Sequence, residues 1–252
     1  MTAMTETDDS TVQRDGSETV AALGRSLDWF VTAVLVLGGL LVGSLGFLLN
    51  ATANRAEIAE LVAEGTIQST VLSDPELVDI TYAMAWWGGV GLAVVGLLML
   101  VGGVAFFIYR RRERQRRTET GVAAPDTTTN AIVGAVVTSV TSFVPLSPIL
   151  GGIVAGYLQR GERADGARVG GLSGLVAAVP IALLFVSLII GLVGVSTEFG
   201  AGVEAGFVAI VLVVAAIVAS LYLVALSAIG GYLGVYLYDE RESTDDEQET
   251  VV

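Results

Sequence analysis

The sequence predicts an all-α integral membrane protein with four full transmembrane helices and a central helical hairpin, either re-entrant or kinked. The chain of 252 residues is 53% hydrophobic and only 15% charged, and its apolar residues fall in long runs without Asp, Glu, Arg or Lys. Uncharged runs of about 18 or more residues are typical of transmembrane helices. The central run is interrupted by Pro145 and Pro148. Glycines recur every four residues around it, which predicts glycine-spaced helix packing.

The charge composition indicates a source in concentrated salt. The chain has 26 acidic residues against 13 basic ones, and every basic residue is arginine. Lysine is ordinarily among the commonest residues. An acidic excess without lysine suits aqueous segments in high salt, where carboxylates keep a surface hydrated and close like charges are screened. We therefore predict a haloarchaeal membrane protein.

The absence of two residue types argues against most enzyme classes. The chain has no cysteine and no histidine. Thiol chemistry and disulfides are therefore excluded, and the commonest metal ligand and general base is missing. No charged residue lies inside a predicted span, which argues against proton relays, coupled transport and intramembrane catalysis. We predict no enzyme activity, no catalytic residue, no cofactor and no metal site.

The first half of the chain is predicted to form two spans that follow an acidic tail. Residues 1–28 are expected to be a disordered cytoplasmic tail. Residues 29–117 are expected to be a two-span hairpin with an acidic extracellular loop at 50–79. The first span has 21 uncharged residues from Trp29 to Leu49. At about 1.5 Å per residue, they suffice to cross a hydrocarbon core of roughly 30 Å.

Two local signals organise the acidic loop. Residues 53–64 are expected to form a short helix that ends at Gly65. Ser73 and Glu76 stand at the spacing of a capping box, and Pro75 is tolerated in a first turn. A second helix is therefore predicted to begin there and to run unbroken into the second span.

An arginine cluster follows the second span. Short basic segments remain cytoplasmic, so the cluster is expected to set the topology in the cell membrane, with both termini cytoplasmic. A site for anionic lipid or nucleic acid is the alternative. Screening favours the topology interpretation, because the Debye length falls to about 3 Å in 1 M salt. Residues 118–129 are predicted to be a linker. The cluster consists of Arg110, Arg111, Arg112, Arg114, Arg116 and Arg117.

The second half is predicted to contain the main membrane domain. A broken helix precedes two full spans, and the last span ends in three tyrosines that suit the membrane interface. The predicted ranges are 130–238 for the domain, 131–158 for the broken helix, 169–195 and 206–238 for the spans, and 239–252 for a disordered acidic cytoplasmic tail.

The broken helix is predicted to enter the membrane and return on the same side. Its two parts, 131–144 and 148–158, make helices of about 21 and 16 Å, both shorter than the roughly 30 Å hydrocarbon core. Re-entrance also leaves twelve of the thirteen arginines inside and only Arg55 outside, as the positive-inside rule favours. Ser147 is expected to cap the second part. A single kinked, tilted span is the alternative.

Two sets of residues are candidates for a functional role in this domain. One set shapes and packs the hairpin. The other places hydroxyl groups on one helix face, leading to a break where freed carbonyls would bind water or a cation. Alternatively, each hydroxyl bonds to a carbonyl of its own helix. The packing set is Pro145, Ser147, Pro148, Gly151, Gly152, Gly156, Gly166, Gly170 and Gly174, and the polar set is Thr138, Thr141 and Ser142.

Residues 130–180 resemble a family of uncharacterised haloarchaeal multi-span membrane proteins. The shared pattern is a Thr/Ser-containing apolar run, then P-x-S-P, then L-G-G-x-x-A-G-Y-L and a glycine-spaced helix. Here these motifs are Pro145 to Pro148, Leu150 to Leu158, and the glycines from Gly166 to Gly174. With the final span, the resemblance covers close to half the chain. It implies location and fold, with no established activity. The first half is similar to other haloarchaeal proteins of unknown function.

Two functional hypotheses remain after these exclusions. The first is a non-enzymatic membrane protein with a packing, assembly or envelope role. Its expected partners are the lipid bilayer and, if it forms a homo-oligomer, further copies of itself. The alternative is a small channel or permease built around the hairpin at 131–158. The sequence indicates no nucleic-acid partner and no particular small-molecule substrate.

Overall fold

The computed structural model is all-helical over the residues it describes, which are 9–70, 72–120, 127–142, 144–159, 161–198 and 202–249. Those residues form seven helices and no strand, so the predicted all-α class is confirmed. In chain order the helices are α1 (Asp9–Thr52), α2 (Arg55–Ala63), α3 (Asp74–Thr120), α4 (Thr127–Val140), α5 (Ser147–Gln159), α6 (Arg163–Glu198) and α7 (Gly202–Glu249).

Four of these helices are long and apolar enough to cross a membrane. The shortest candidate span has 27 residues, and at about 1.5 Å each it exceeds the roughly 30 Å hydrocarbon core. The prediction of a multi-pass protein with four full spans is confirmed. The spans are Ser26–Thr52 in α1, Asp74–Glu113 in α3, Arg163–Ser196 in α6 and Gly206–Arg241 in α7.

The helix bundle has two chemically distinct ends. At one end, which we term the arginine end, Arg110 of α3 pairs with Asp28 of α1. At the same end Arg163 of α6 lies 3.7 Å from Asp239 of α7. At the opposite end, which we term the α2 end, α2 packs on the first turns of α3. Each full span therefore runs from one end to the other.

The short helices α4 and α5 form an antiparallel hairpin. Asn130, near the start of α4, donates a hydrogen bond of 2.9 Å to Gln159 at the end of α5. Further along the hairpin, Gly134 lies against Ala155. The two helices therefore run in opposite directions. The start of α4 and the end of α5, which form the open end of the hairpin, both lie at the arginine end. The chain therefore reverses at the proline break, as the predicted hairpin requires and a single kinked helix would not. Its return to the same side of a membrane stays a prediction.

Three helices extend further at the arginine end than the sequence predicts. Residues 9–28 and 239–249 continue α1 and α7 as helix rather than as disordered tails. Helix α3 continues to Thr120, inside the predicted linker 118–129. Once a helix is nucleated, each further residue adds a hydrogen bond at little cost, so polar residues next to a stable span are readily recruited. Residues 1–8, 121–126 and 250–252 lie outside the described part.

At the α2 end, the predicted short helix is present, and so is the Glu76 half of the predicted capping box. Ile58 and Val62 of α2 pack on Leu77 of α3. Ser73 and Glu76 share a hydrogen bond of 2.6 Å between hydroxyl and carboxylate, and the Ser73 backbone N–H donates to the same carboxylate at 2.9 Å. This packing fixes α2 on the start of the second span.

The turn after α2 depends on Gly65, whose φ is +74°. A side chain with a Cβ is disfavoured in this left-handed conformation by roughly 1–2 kcal/mol. We expect Gly65→Ala to loosen the loop, seen as faster protease cleavage there. Gly65→Asn is the matched control, because asparagine tolerates this conformation. Equal cleavage of both variants would contradict the explanation.

Candidate functional site: the glycine-packed hairpin

The hairpin packs against α6 and α7 through glycines whose contacts converge on Gly231. A Cβ added to Gly156 of α5, or to Gly166 or Gly170 of α6, would meet the backbone of Gly231 in α7. Three helices therefore touch at one buried residue, closely enough that only hydrogen fits as a side chain. Sequence reasoning missed Gly231, although it is half of the Gly-Gly pair that begins at Gly230.

The other predicted glycines line the same interfaces. A Cβ on Gly152 would meet the Ser227 carbonyl of α7, and one on Gly174 would lie 2.6 Å from a carbonyl oxygen of α7. Gly151 faces α4 instead and lies against Thr138. The structure thus brings the predicted glycines together on the surfaces that hold the hairpin.

The turn of the hairpin contains the predicted proline and serine residues. Pro145 is exposed at the tip, and its carbonyl accepts a long hydrogen bond of 3.5 Å from the hydroxyl of Tyr222. Ser147 and Pro148 are buried as the first two residues of α5. The expectation that Ser147 caps this helix is wrong by one residue, because the Leu146 carbonyl already accepts the Leu150 N–H at 3.4 Å.

The three hydroxyls predicted as a polar path have separate environments. Thr141 donates to the Val137 carbonyl of its own helix at 2.7 Å, as in the alternative interpretation. Ser142 is exposed near the tip. Thr138 is buried and its hydroxyl has no hydrogen-bond partner. The structure therefore does not gather these three groups along one face.

Three hydroxyls are buried on the helices that surround α5. Thr138 of α4, Ser173 of α6 and Ser227 of α7 are all buried, and none of their side-chain oxygens has a hydrogen-bond partner. A Cβ on Gly134 would lie 2.6 Å from both the Ser173 hydroxyl and the Gly151 carbonyl. We term Thr138, Ser173 and Ser227 the hydroxyl layer. Sequence reasoning missed both serines, which stand one turn from packing glycines.

Buried amides close the open end of the hairpin. Asn130 and Gln159 are both buried and hydrogen-bonded to each other, and the Gln159 amide also donates to the Thr127 hydroxyl at 3.1 Å. This amide clasp ties the first turn of α4 to the last turn of α5. Sequence reasoning missed it because Gln159 stands beside arginines in what looks like an aqueous loop.

Breaking the amide clasp is expected to destabilise the hairpin. Gln159→Leu leaves the buried Asn130 amide without its partner, which costs about 1–3 kcal/mol. The double variant Asn130→Leu/Gln159→Leu removes both polar groups and is expected to recover part of the loss. Thermal unfolding in detergent compares the wild type, Asn130→Leu, Gln159→Leu and the double variant. A double variant as unstable as the sum of both single variants would argue against the clasp.

A cleft of about 280 Å³ opens beside the amide clasp at the arginine end. It lies between the open end of the hairpin and the first turns of α6. Its walls combine polar and apolar groups, and they include one acidic and one basic residue. The lining residues are Thr127, Gln159, Asp165, Arg168, Val169 and Leu172.

The predicted topology arginines do not all have the same role. Arg110 is largely buried, with 17% of its side chain exposed, and its Nε lies 2.8 Å from an Asp28 carboxylate oxygen. Arg111 and Arg112 are exposed. The first arginine of the cluster thus helps to join α1 to α3. The side chains of Arg114, Arg116 and Arg117 lie outside the described part.

Comparison with known proteins finds one family match, in the second half of the chain. Residues 128–237 match a family of unknown function, DUF5518. The matched range begins in α4 and ends in α7, so it includes the hairpin, the Gly231 junction and the hydroxyl layer. It agrees with the resemblance to an uncharacterised family, while the haloarchaeal source stays a prediction.

No curated protein and no solved structure gives a significant match to the chain. In the described part, no group of three or more His, Cys, Asp or Glu side chains could hold a metal ion. The site is therefore described by its packing, its three unpaired hydroxyls and the cleft beside the amide clasp.

Proposed function

We propose that this protein is a non-enzymatic component of the cell membrane whose DUF5518 domain acts as a rigid anchor in a packing, assembly or envelope role. The contact of three helix backbones at Gly231 carries this proposal. Helices whose backbones are this close resist relative movement, because interiors this dense do not deform easily. A rigid body in the bilayer is suited to holding the helices that extend from it, with both termini cytoplasmic.

The outward face of α7 offers a surface for self-association. In the most apolar part of the α7 span 0% of the residues are buried, against 17–28% in the other three spans. Lipid covers such a face as readily as protein does, so association there depends on packing between helices. We propose that a second copy of the chain packs on this face.

Single cysteines test this assembly, since the chain has none of its own. We expect Val214→Cys on α7 to give disulfide-linked dimers in native membranes under mild oxidation. Leu41→Cys, at a more exposed position on α1, is the control and is expected to stay monomeric. A protein that is monomeric in detergent and forms no crosslinks from either position would contradict the proposal.

The hydroxyl layer favours a second candidate function, a small channel or permease. Three unpaired hydroxyls around a re-entrant hairpin are groups that a passing solute or ion would hydrogen-bond. The test is uptake by reconstituted vesicles, compared between the wild type and a Thr138→Val/Ser173→Ala/Ser227→Ala variant. Uptake that is lost in the variant would support a permease. Wild-type vesicles that are no more permeable than empty ones would exclude it.

A further inference from the structure

The cleft beside the amide clasp has the size of a head-group site. Its volume is about 280 Å³, at the lower limit of the roughly 300–1,000 Å³ of ligand pockets. It is too small for a whole lipid and large enough for a phosphate with a short polar substituent. It lies at the arginine end, where the α6 span begins.

The charges in the cleft are available to a ligand. Arg168 and Asp165 are both exposed, and no ion pair to either is found among the described residues. By contrast, Arg163 lies 3.7 Å from Asp239 and its guanidinium carbon stands 5.0 Å from the Tyr236 ring centre. The Arg163 guanidinium is therefore already paired, whereas the Arg168 guanidinium faces the open cleft.

Arg168 stands at the depth of lipid head groups. It is the last charged residue before the uncharged run of residues 169–195, which is long enough to fill the hydrocarbon core. Each head-group region extends about 5–8 Å beyond the hydrocarbon core. The Arg168 guanidinium is thus placed where phosphates lie, and guanidinium binds phosphate through two parallel hydrogen bonds.

The apolar wall of the cleft continues into the membrane along α6. Val169 and Leu172 line the cleft. Leu172, Val176 and Val179 are exposed, and their spacing of three to four residues places them on one face of the helix. A ligand with its polar end in the cleft would lay an acyl chain along this stripe.

We propose that the cleft binds the head group of a phospholipid whose phosphate carries a hydrogen-bond donor. The phosphate pairs with Arg168, the donor, a hydroxyl or an ammonium, bonds to the Asp165 carboxylate, and an acyl chain follows the α6 stripe. Asp165 sets the selectivity, because a phosphate without a donor meets an unpaired carboxylate there. This site is independent of the proposed assembly role.

Native mass spectrometry of the delipidated protein tests the site at low salt. We expect phosphatidylglycerol or phosphatidylethanolamine to be retained over phosphatidylmethanol, which has the phosphate but no donor. Arg168→Gln is expected to reduce retention about tenfold, since one charge-assisted interaction is lost. Arg112→Gln, an exposed arginine at the same end, is the control and should retain lipid normally.

Asp165→Asn separates selectivity from general binding. We expect this variant to retain phosphatidylmethanol as well as phosphatidylglycerol. Equal losses of lipid retention in Arg168→Gln and Arg112→Gln would mean that the effect comes from surface charge in general. That result would overturn the proposed site. Glycerol 1-phosphate that binds as tightly as the lipid would also overturn it, because the acyl chain would then contribute nothing.

Discussion

Gly170→Ala is expected to destabilise the protein strongly, whereas Gly171→Ala, one residue later in the same helix, is expected to be tolerated. A Cβ on Gly170 would meet the Ser227 carbonyl and lie 2.9 Å from the Gly231 Cα, both backbone atoms of α7. Backbone atoms cannot avoid the clash by a change of rotamer, as a side chain can, so α6 and α7 would have to separate. Overpacking of this kind costs about 1–3 kcal/mol, and occasionally more.

The control substitution, Gly171→Ala, is not expected to lower stability. A Cβ on Gly171 would lie 3.7 Å from the Ala228 Cβ, an ordinary contact. Alanine is also about 1 kcal/mol more favourable than glycine inside a helix. We therefore expect Gly171→Ala to leave the thermal midpoint unchanged or to raise it. Unfolding in detergent, followed by tryptophan fluorescence, makes the comparison, and equal midpoints for the two variants would contradict the account of the Gly231 junction.

Removing one member of the Asp28–Arg110 pair is expected to separate α1 from α3 at the arginine end. The Asp28 side chain is 8% exposed, and the two groups are 2.8 Å apart. A buried charge that loses its partner costs about 3–5 kcal/mol. We expect a loss of about 3 kcal/mol for Asp28→Ala, because Arg110 retains some access to water.

A double-mutant cycle distinguishes the pair from either residue alone. Asp28→Ala/Arg110→Gln removes both charges and is expected to cost less than Asp28→Ala and Arg110→Gln added together. Arg111→Ala is the control for arginine loss at this end, and as an exposed residue it is expected to change stability by no more than about 0.5 kcal/mol. Strict additivity of the Asp28 and Arg110 variants would contradict the coupling.

The spans and the hairpin were predictable because they depend on run length. Residues 131–144 and 148–158 are too short to cross a membrane, and two prolines three residues apart disfavour a continuous helix between them. The count of arginines on each side pointed to the same arrangement. The hairpin of α4 and α5 follows from these two constraints, neither of which needs knowledge of a partner helix.

The packing partners were less predictable. Spacing of four residues shows that Gly166, Gly170 and Gly174 share a helix face, but it does not show which helix covers that face. Gly231 became the junction only because α7 passes both α5 and α6. The amide clasp joins side chains 29 residues apart, and no local pattern encodes such a pair.

The helical extensions were wrongly predicted for a related reason. Residues 9–28 and 239–249 have the composition of a polar tail, and composition alone indicates disorder. Their neighbours in sequence are stable spans, which provide a helix nucleus that an isolated segment would lack. Composition reflects only the residues within a segment, whereas helix propagation into that segment depends on the helix next to it in the chain.

The re-entrant hairpin is the central claim, and accessibility of single cysteines to a membrane-impermeant maleimide tests it most directly. Ala164→Cys lies just after the hairpin at the arginine end, and Ala59→Cys lies on α2 at the opposite end; both sites are exposed. We predict that Ala59→Cys is labelled in intact cells and Ala164→Cys only after lysis. Labelling of both in intact cells would place them on one side of the membrane and contradict the hairpin.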